Sequence, residues 1–284
     1  MKRVFSFYGG ISLKGLLRKT VRSTHDHHCN DASAAMAFDF VFAIFPGIIV
    51  LTMLLSLFDI PVEAFSGLVR DLGIVVPPPV AAVVEENVVH ALETSQSLFV
   101  LGIIGVVWPA SASLSTTMSA LNRAYATIER RTFWQRRVLS IVFVICMGLA
   151  LIFLFNLIAF SEQVEHWLRV HWQLSNRMPS LVGIVHSAAV ILGTLGVAAT
   201  IHRVVPDVKL GWLDVMPGSL LFLALWTIIA GGFGYFVSNF GYYNAIFGLL
   251  SSVIVLLLSA YLVSFTLLLG GELNGNLYRM RRGS

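Results

Sequence analysis

Long apolar runs alternate with short polar and basic connectors along this chain. Six runs read as helices able to cross a lipid bilayer. They are approximately Met36–Phe58, Leu98–Ala120, Val138–Phe160, Leu181–Ile201, Val215–Val237 and Ile246–Gly270. About 20 mostly apolar residues are needed, because about 30 Å of hydrocarbon is crossed at about 1.5 Å per residue. The third run contains no Asp, Glu, Lys or Arg. The first is less regular: it holds Asp39 and Pro46. A proline there removes a backbone donor and predicts a kink, tolerated where neighbouring helices satisfy the freed carbonyl.

Two shorter stretches show helical spacing with one polar face. Leu13, Leu16, Leu17 and Val21 alternate with Lys14, Arg18, Lys19 and Arg22. That pattern predicts an amphipathic helix on the inner membrane surface. In the outer loop 59–97, Val80, Val83, Val84, Val88, Ala91 and Leu92 follow Pro77, Pro78 and Pro79. They predict a helix lying on the membrane or capping the bundle. The expected fold is all-α: an integral membrane bundle of six transmembrane helices, both termini cytoplasmic, with amphipathic helices in the outer loop. Its parts are a basic N-terminal segment 1–35, a transmembrane domain 36–274 and a basic tail 275–284. No internal repeat of the inverted-repeat transporter kind is visible. The first residues are basic but lack a continuous apolar core, so no cleavable signal peptide is expected.

Composition agrees with the pattern. Of 284 residues, 57% are hydrophobic and 12% charged. Soluble domains carry about 25% charged residues. That argues against a soluble globular protein, a disordered chain or a domain with a broad nucleic-acid-binding face. The net charge of +4 is explained by position. With six spans, 16 of the 19 Lys and Arg fall on the side of the termini and only Arg70, Arg169 and Arg177 on the other. Basic residues gather at cytoplasmic helix ends in this way, where they also meet anionic lipid.

Charges inside or beside spans are costly and therefore mark candidate functional positions. Asp39, Arg123 and Glu272 are expected near one level at the inner leaflet, as a carboxylate–arginine–carboxylate cluster. It is read either as headgroup contacts and structural pairing or as a polar entrance for an anionic substrate. Pro46 and Asn274 join them as candidates for a substrate path. In the second span Ser111, Ser115 and Ser119 recur every four residues, a spacing that lets helices approach closely. An outer aromatic segment includes Tyr235, Asn239, Tyr242 and Tyr243. It reads as an interfacial belt, with headgroup binding as the alternative. His186 reads as a hydrogen-bonded bundle residue. His25, His27 and Cys29 have donor types that suit zinc, yet their spacing matches no closed four-ligand pattern, so no metal site is expected. Asp31 or Ser33 is expected to cap the first span.

No G-x-S-x-G, H-E-x-x-H, Walker A or dinucleotide-binding glycine run is present. The cytoplasmic loops of about 17 and about 13 residues are too short for an enzyme domain. Neither an enzyme nor a cofactor is expected.

Four stretches resemble the YihY/BrkB-like family. They are Ala34-Ala35-Met36-Ala37-Phe38 through Phe45-Pro46, and Trp108 with the later Ala120-Leu121-Asn122-Arg123-Ala124-Tyr125. The others are Tyr235 to Tyr243 leading to Phe247-Gly248, and Leu269-Gly270-Gly271-Glu272-Leu273-Asn274. The resemblance covers about Ala34 to Asn274. It implies a bacterial inner-membrane protein of about six helices. Members of that family have carried ribonuclease and virulence or serum-resistance labels, and a branch is associated with export of lipid A precursor. The ribonuclease label fits these residues badly. Asp26, Asp31, Glu129, Asp207, Asp214 and Glu272 are the inner-side acids outside the first span, and they lie in separate segments. The expected activity is transport or handling of an anionic envelope lipid without an ATPase of its own. The alternative is a scaffold or assembly factor for envelope proteins. Membrane lipids are the expected partners, envelope proteins come second, nucleic acid is not expected, and the oligomeric state stays open.

Overall fold

Seven helices account for most of what a computed structural model of this chain describes, namely residues 13–57, 96–146, 149, 178–238 and 249–282. They are α1 (Leu13–Asp26), α2 (Cys29–Leu57), α3 (Gln96–Ala124), α4 (133–146), α5 (Met178–Val204), α6 (Trp212–Ser238) and α7 (Leu249–Arg282). No strand occurs among the described residues. The predicted helix of the outer loop 59–97 falls almost wholly outside them.

Each element has a local cause. Helix α2 starts at Cys29, seven residues before the predicted span. His28 stands before it in the left-handed region, with φ of 54°, and its carbonyl accepts from the Ala32 amide at 3.2 Å. The expected cap at Asp31 or Ser33 is therefore corrected. Asp31 lies in the first turn, and the Ser33 hydroxyl donates back to the Cys29 carbonyl at 2.7 Å. Helix α3 ends in a Schellman motif. The Thr127 amide donates to the Asn122 carbonyl at 2.9 Å and the Ala126 amide to the Arg123 carbonyl at 3.0 Å. Ala126 takes the left-handed position, with φ of 52°. Asp214 opens α6 by accepting from the Gly211 amide at 2.9 Å, and it also pairs with Arg281 at the end of α7.

Among the described residues, Trp212–Gly232 and Val253–Arg281 are long and apolar enough to cross a membrane, and Ala188–Val204 is a shorter apolar helix. Of the six expected spans, these two stand out by length and composition. Only 22% and 44% of their most apolar windows are buried. A core helix of a soluble protein would be covered far more completely. Phe38, Phe42, Val142, Leu192, Leu220, Ile228 and Ile254 likewise face outward, between 51% and 71% exposed. Inside, polar residues stand among an apolar core of Met118, Leu121 and Leu268: Ser111, Thr117, Ser140, His202, Ser219, Glu272, Asn274 and Asn276 are at most 2% exposed. This distribution suits a solvent of hydrocarbon.

Helix α2 packs most extensively on α3, and α7 packs on α6 and α2. The Pro46 ring fills the space beside Gly105 of α3, where an added Cβ would lie 2.8 Å from the proline Cβ. Between α6 and α7 the backbones touch. A Cβ at Gly218 would stand 2.0 Å from the Gly270 carbonyl oxygen, and one at Gly270 would stand 2.4 Å from that of Gly218. Only glycine permits that approach. The small-residue stripe of α3 meets α4. Ser115 and Ser140 hydroxyls are 3.2 Å apart, and Arg136 donates to the Ser115 carbonyl and to Ser119 Oγ.

Candidate functional site

The final turns of α7 organise a polar layer at one end of the bundle. At 100° per residue, Glu272 and Asn276 share a face and Asn274 points the opposite way. All three are fully buried. The glycines around them let neighbouring backbones close in: a Cβ at Gly275 would sit 2.2 Å from the Ala124 carbonyl oxygen. The helix runs on to Arg282, so residues 275–282 are its last turns rather than a separate tail.

Glu272 faces the elbow between α1 and α2. Its Oε1 lies 2.6 Å from His27 Nδ1 and accepts from the Cys29 thiol at 3.6 Å. Oε2 is buried with no hydrogen-bond partner. Arg123, at the end of α3, donates from Nε to the His27 carbonyl at 3.1 Å. Burial, with the Glu272 charge adding to it, pushes the Cys29 thiol up to about 12, so Cys29 stays a neutral donor.

On the other face, Asn274 Oδ1 accepts from the Gly218 amide at 2.6 Å, and its Nδ2 donates to the Val215 carbonyl at 2.9 Å. His202 lies beside it, its Nε2 2.9 Å from the Leu267 carbonyl and its Nδ1 3.1 Å from Ser219 Oγ. A carbonyl only accepts, so Nε2 carries the hydrogen. Asn276 reaches α1, donating to Ser23 Oγ at 3.3 Å and Thr20 Oγ1 at 3.4 Å. Asn122 ties two loops together: its amide donates to Glu129 Oε2 at 2.8 Å and its oxygen accepts from the Asp207 amide at 2.7 Å.

The expected cluster is thus corrected in membership. Arg123 and Glu272 do converge, through His27 and Cys29. Asp39 does not lie at their level. It is ten residues past Cys29, which is about 15 Å along the helix axis. The arginine within electrostatic reach of Asp39 is Arg137. The cause is the early start of α2, which carries Asp39 deeper than a start at Met36 would. Pro46 packs on α3 as described, and Asn274 joins the α6 seam.

His27 and Cys29 come together on Glu272, while His25 is 88% exposed and turns away. Among the described residues no group of three or more His, Cys, Asp or Glu is arranged to hold a metal ion. Tyr235 lies on α6, but its side chain, like that of His186, is outside the described residues, as are Asn239, Tyr242 and Tyr243. His202 and Asn276 belong to this layer but are not singled out by the sequence reading. Their signal was local: both sit in the last turns of long apolar helices, beside small residues that invite a neighbour.

The family described as Virulence factor BrkB matches residues 20–283, which includes every residue of the polar layer. YfkH of Bacillus subtilis (strain 168), whose name describes it as ribonuclease-like, is 26% identical over 258 residues, 90% of this chain and 92% of that protein. A UPF0761 membrane protein of Xanthomonas campestris pv. campestris (strain B100) is 27% identical over 268 residues, 90% of this chain and 59% of that protein. One of Xanthomonas axonopodis pv. citri (strain 306) has the same identity and coverage. The chain therefore spans about 59% of the length of these Xanthomonas relatives. No solved structure matches it. With the family signature running through almost the whole chain and UPF0761 membrane proteins among its relatives, this chain belongs to the BrkB family of membrane proteins.

Proposed function

We propose that this chain is a multi-pass protein of the bacterial inner membrane that moves or handles an anionic envelope lipid, with no ATPase and no enzymatic reaction of its own. The observation that carries this reading is the outer face of α4. Trp134, Val138 and Val142 form an exposed apolar strip along it, between 51% and 73% exposed. Arg137, one turn away from Trp134, lies 4.0 Å over the Trp108 ring and donates to the Trp108 carbonyl at 3.0 Å. An acyl chain lies well along such a strip, and the Arg137 guanidinium beside it suits a phosphate headgroup. The strip faces outward, so the lipid would travel along the bundle surface rather than through an interior pore. Arg123 and Glu272 supply polar groups at the end of the bundle.

The test is translocation of labelled anionic phospholipid and lipid A precursor in proteoliposomes. Movement that falls in Arg137→Ala and in Val138→Asp supports the reading. Absence of movement with every anionic envelope lipid, together with stable co-purifying envelope proteins, replaces it with a scaffold role. Full activity in both Arg123→Ala and Glu272→Gln removes the polar layer from the lipid path.

A further inference from the structure

The turn His25–Asp31 is unusually rich in titratable groups for a two-residue elbow, and neither the fold nor the lipid reading uses them. Four of them, His25, Asp26, His28 and Asp31, have side chains between 57% and 88% exposed. The fifth, His27, is 23% exposed on its side chain and touches a carboxylate that is 0% exposed. His27 thus connects a solvated group of proton donors to Glu272 in the interior.

A contact of 2.6 Å between Nδ1 and Oε1 requires a hydrogen between them. A neutral imidazole with its own hydrogen on Nδ1 supplies it, and the pair is then open to added protons. Glu272 Oε2 has no partner, and an uncompensated buried oxygen is far less costly on a neutral carboxyl than on a carboxylate. The groups facing the carboxylate from the packed elements are few. His27 and Cys29 touch it, Arg123 holds the His27 carbonyl, and Tyr125 is within electrostatic reach. Beyond Gly271 lies His202, already engaged by the Leu267 carbonyl. None of them supplies a second donor to Oε2.

We propose that His27 and Glu272 form a proton-binding dyad, loaded through the exposed His25–Asp31 turn, whose second proton releases the α1–α2 elbow from α7. With one added proton the dyad is neutral, that proton shared between the imidazole and the carboxylate in a single short hydrogen bond. A second proton leaves an imidazolium beside an uncharged carboxyl, and adds positive charge next to Arg123. The imidazolium still donates to Oε1, but the carboxylate it paired with is gone and the added positive charge is left without a counter-charge, which weakens the closing equilibrium by about a factor of ten. The elbow is then held by weaker contacts: the Cys29 thiol on Glu272 at 3.6 Å, Arg123 on the His27 carbonyl, and the hydrogen bonds from Asn276 to Thr20 and Ser23 at 3.3–3.4 Å. Coupling of this protonation to lipid movement rests on the proposed function. The dyad itself does not.

Cys29 provides the probe, because it is buried against Glu272 and is one of only two cysteines. The full chain carrying Cys146→Ser is placed in lipid nanodiscs. Reaction of Cys29 with 4,4′-dithiodipyridine is followed from about pH 7.5 to about pH 5, the range in which histidine titrates, and divided by the rate of the unfolded chain at each pH. Protection of Cys29 falls about tenfold on acidification, the factor set above by loss of the ion pair. Glu272→Gln abolishes the step. His27→Gln, a change at a partly exposed position, abolishes it as well and keeps the test valid should the Glu272 variant not fold. Constant protection across the range, or an unchanged step in His27→Gln, overturns the proposal. A step without lipid movement in proteoliposomes keeps the dyad and refutes the lipid reading, whereas lipid movement without a step does the reverse.

Discussion

Replacing Gly218 by alanine tests the α6–α7 seam most directly. The new Cβ would stand 2.0 Å from the Gly270 carbonyl oxygen and 2.4 Å from Asn274 Nδ2. Ordinary contact needs at least about 3.0 Å, so the helices must part by about 1 Å. The Gly218–Asn274 bond, now 2.6 Å, and the Asn274–Val215 bond, now 2.9 Å, would both stretch past useful length. Overpacking costs about 1–3 kcal/mol. Each interhelical hydrogen bond adds about 0.6 kcal/mol if the bilayer-unfolded state finds new partners, and about 1 kcal/mol if it does not. The expected loss is about 2–5 kcal/mol. The same helix supplies the control, since a Cβ at Gly231 or Gly232 meets nothing within 4 Å. Alanine there should be neutral or stabilise by up to about 1 kcal/mol through helix propensity. Equilibrium unfolding in mixed micelles, followed by tryptophan fluorescence, measures all three variants. A Gly218→Ala stability within about 0.5 kcal/mol of the wild type would refute the close-packed seam. So would an equal loss in Gly231→Ala.

Three further outcomes follow from local geometry. Ala126 holds a left-handed position at φ of 52°, so Ala126→Gly should raise stability by about 1 kcal/mol in the same assay. Asn122 is 4% exposed and satisfies both Glu129 and the Asp207 amide, so Asn122→Ala should cost about 2–3 kcal/mol and speed hydrogen exchange at the Asp207 amide. The Cys29 thiol lies at about 12 in the folded chain against an ordinary 9.0, a raised value. Its stabilisation is therefore complete below 9.0 and lost as pH rises toward about 12. Alkaline unfolding in this window should be blunted by Cys29→Ala, and an identical alkaline profile in that variant would contradict the assignment.

The places where sequence reading stopped short share one cause. Hydropathy measures preference for lipid over water, and it has no term for burial against other helices. It therefore began the first span at Met36 and ended the sixth at Gly270. Helix α2 begins at Cys29 instead, since Ala32, Ala34 and Ala35 are good helix formers and the His28 turn starts it. Helix α7 continues past Gly270 because its polar residues find partners: Glu272 at the α1–α2 elbow, Asn274 on α6 and Asn276 on α1. The N-terminal amphipathic pattern was legible, but not which face turns inward. Thr20 and Thr24 are buried, while Leu17 and Val21 are exposed.

The sequence by itself determined the all-helical character and the placement of apolar runs. Those properties depend on composition over about 20 neighbouring residues, and local pattern carries them. It also carried the family, through the segments at Asn122 and Glu272. Only the tertiary structure decided which polar groups meet. His27 and Glu272 are 245 residues apart in the chain and 2.6 Å apart in space. No periodicity encodes that contact. It follows from the order in which the helices pack and from glycines that let α7 lie against the backbones of α3 and α6.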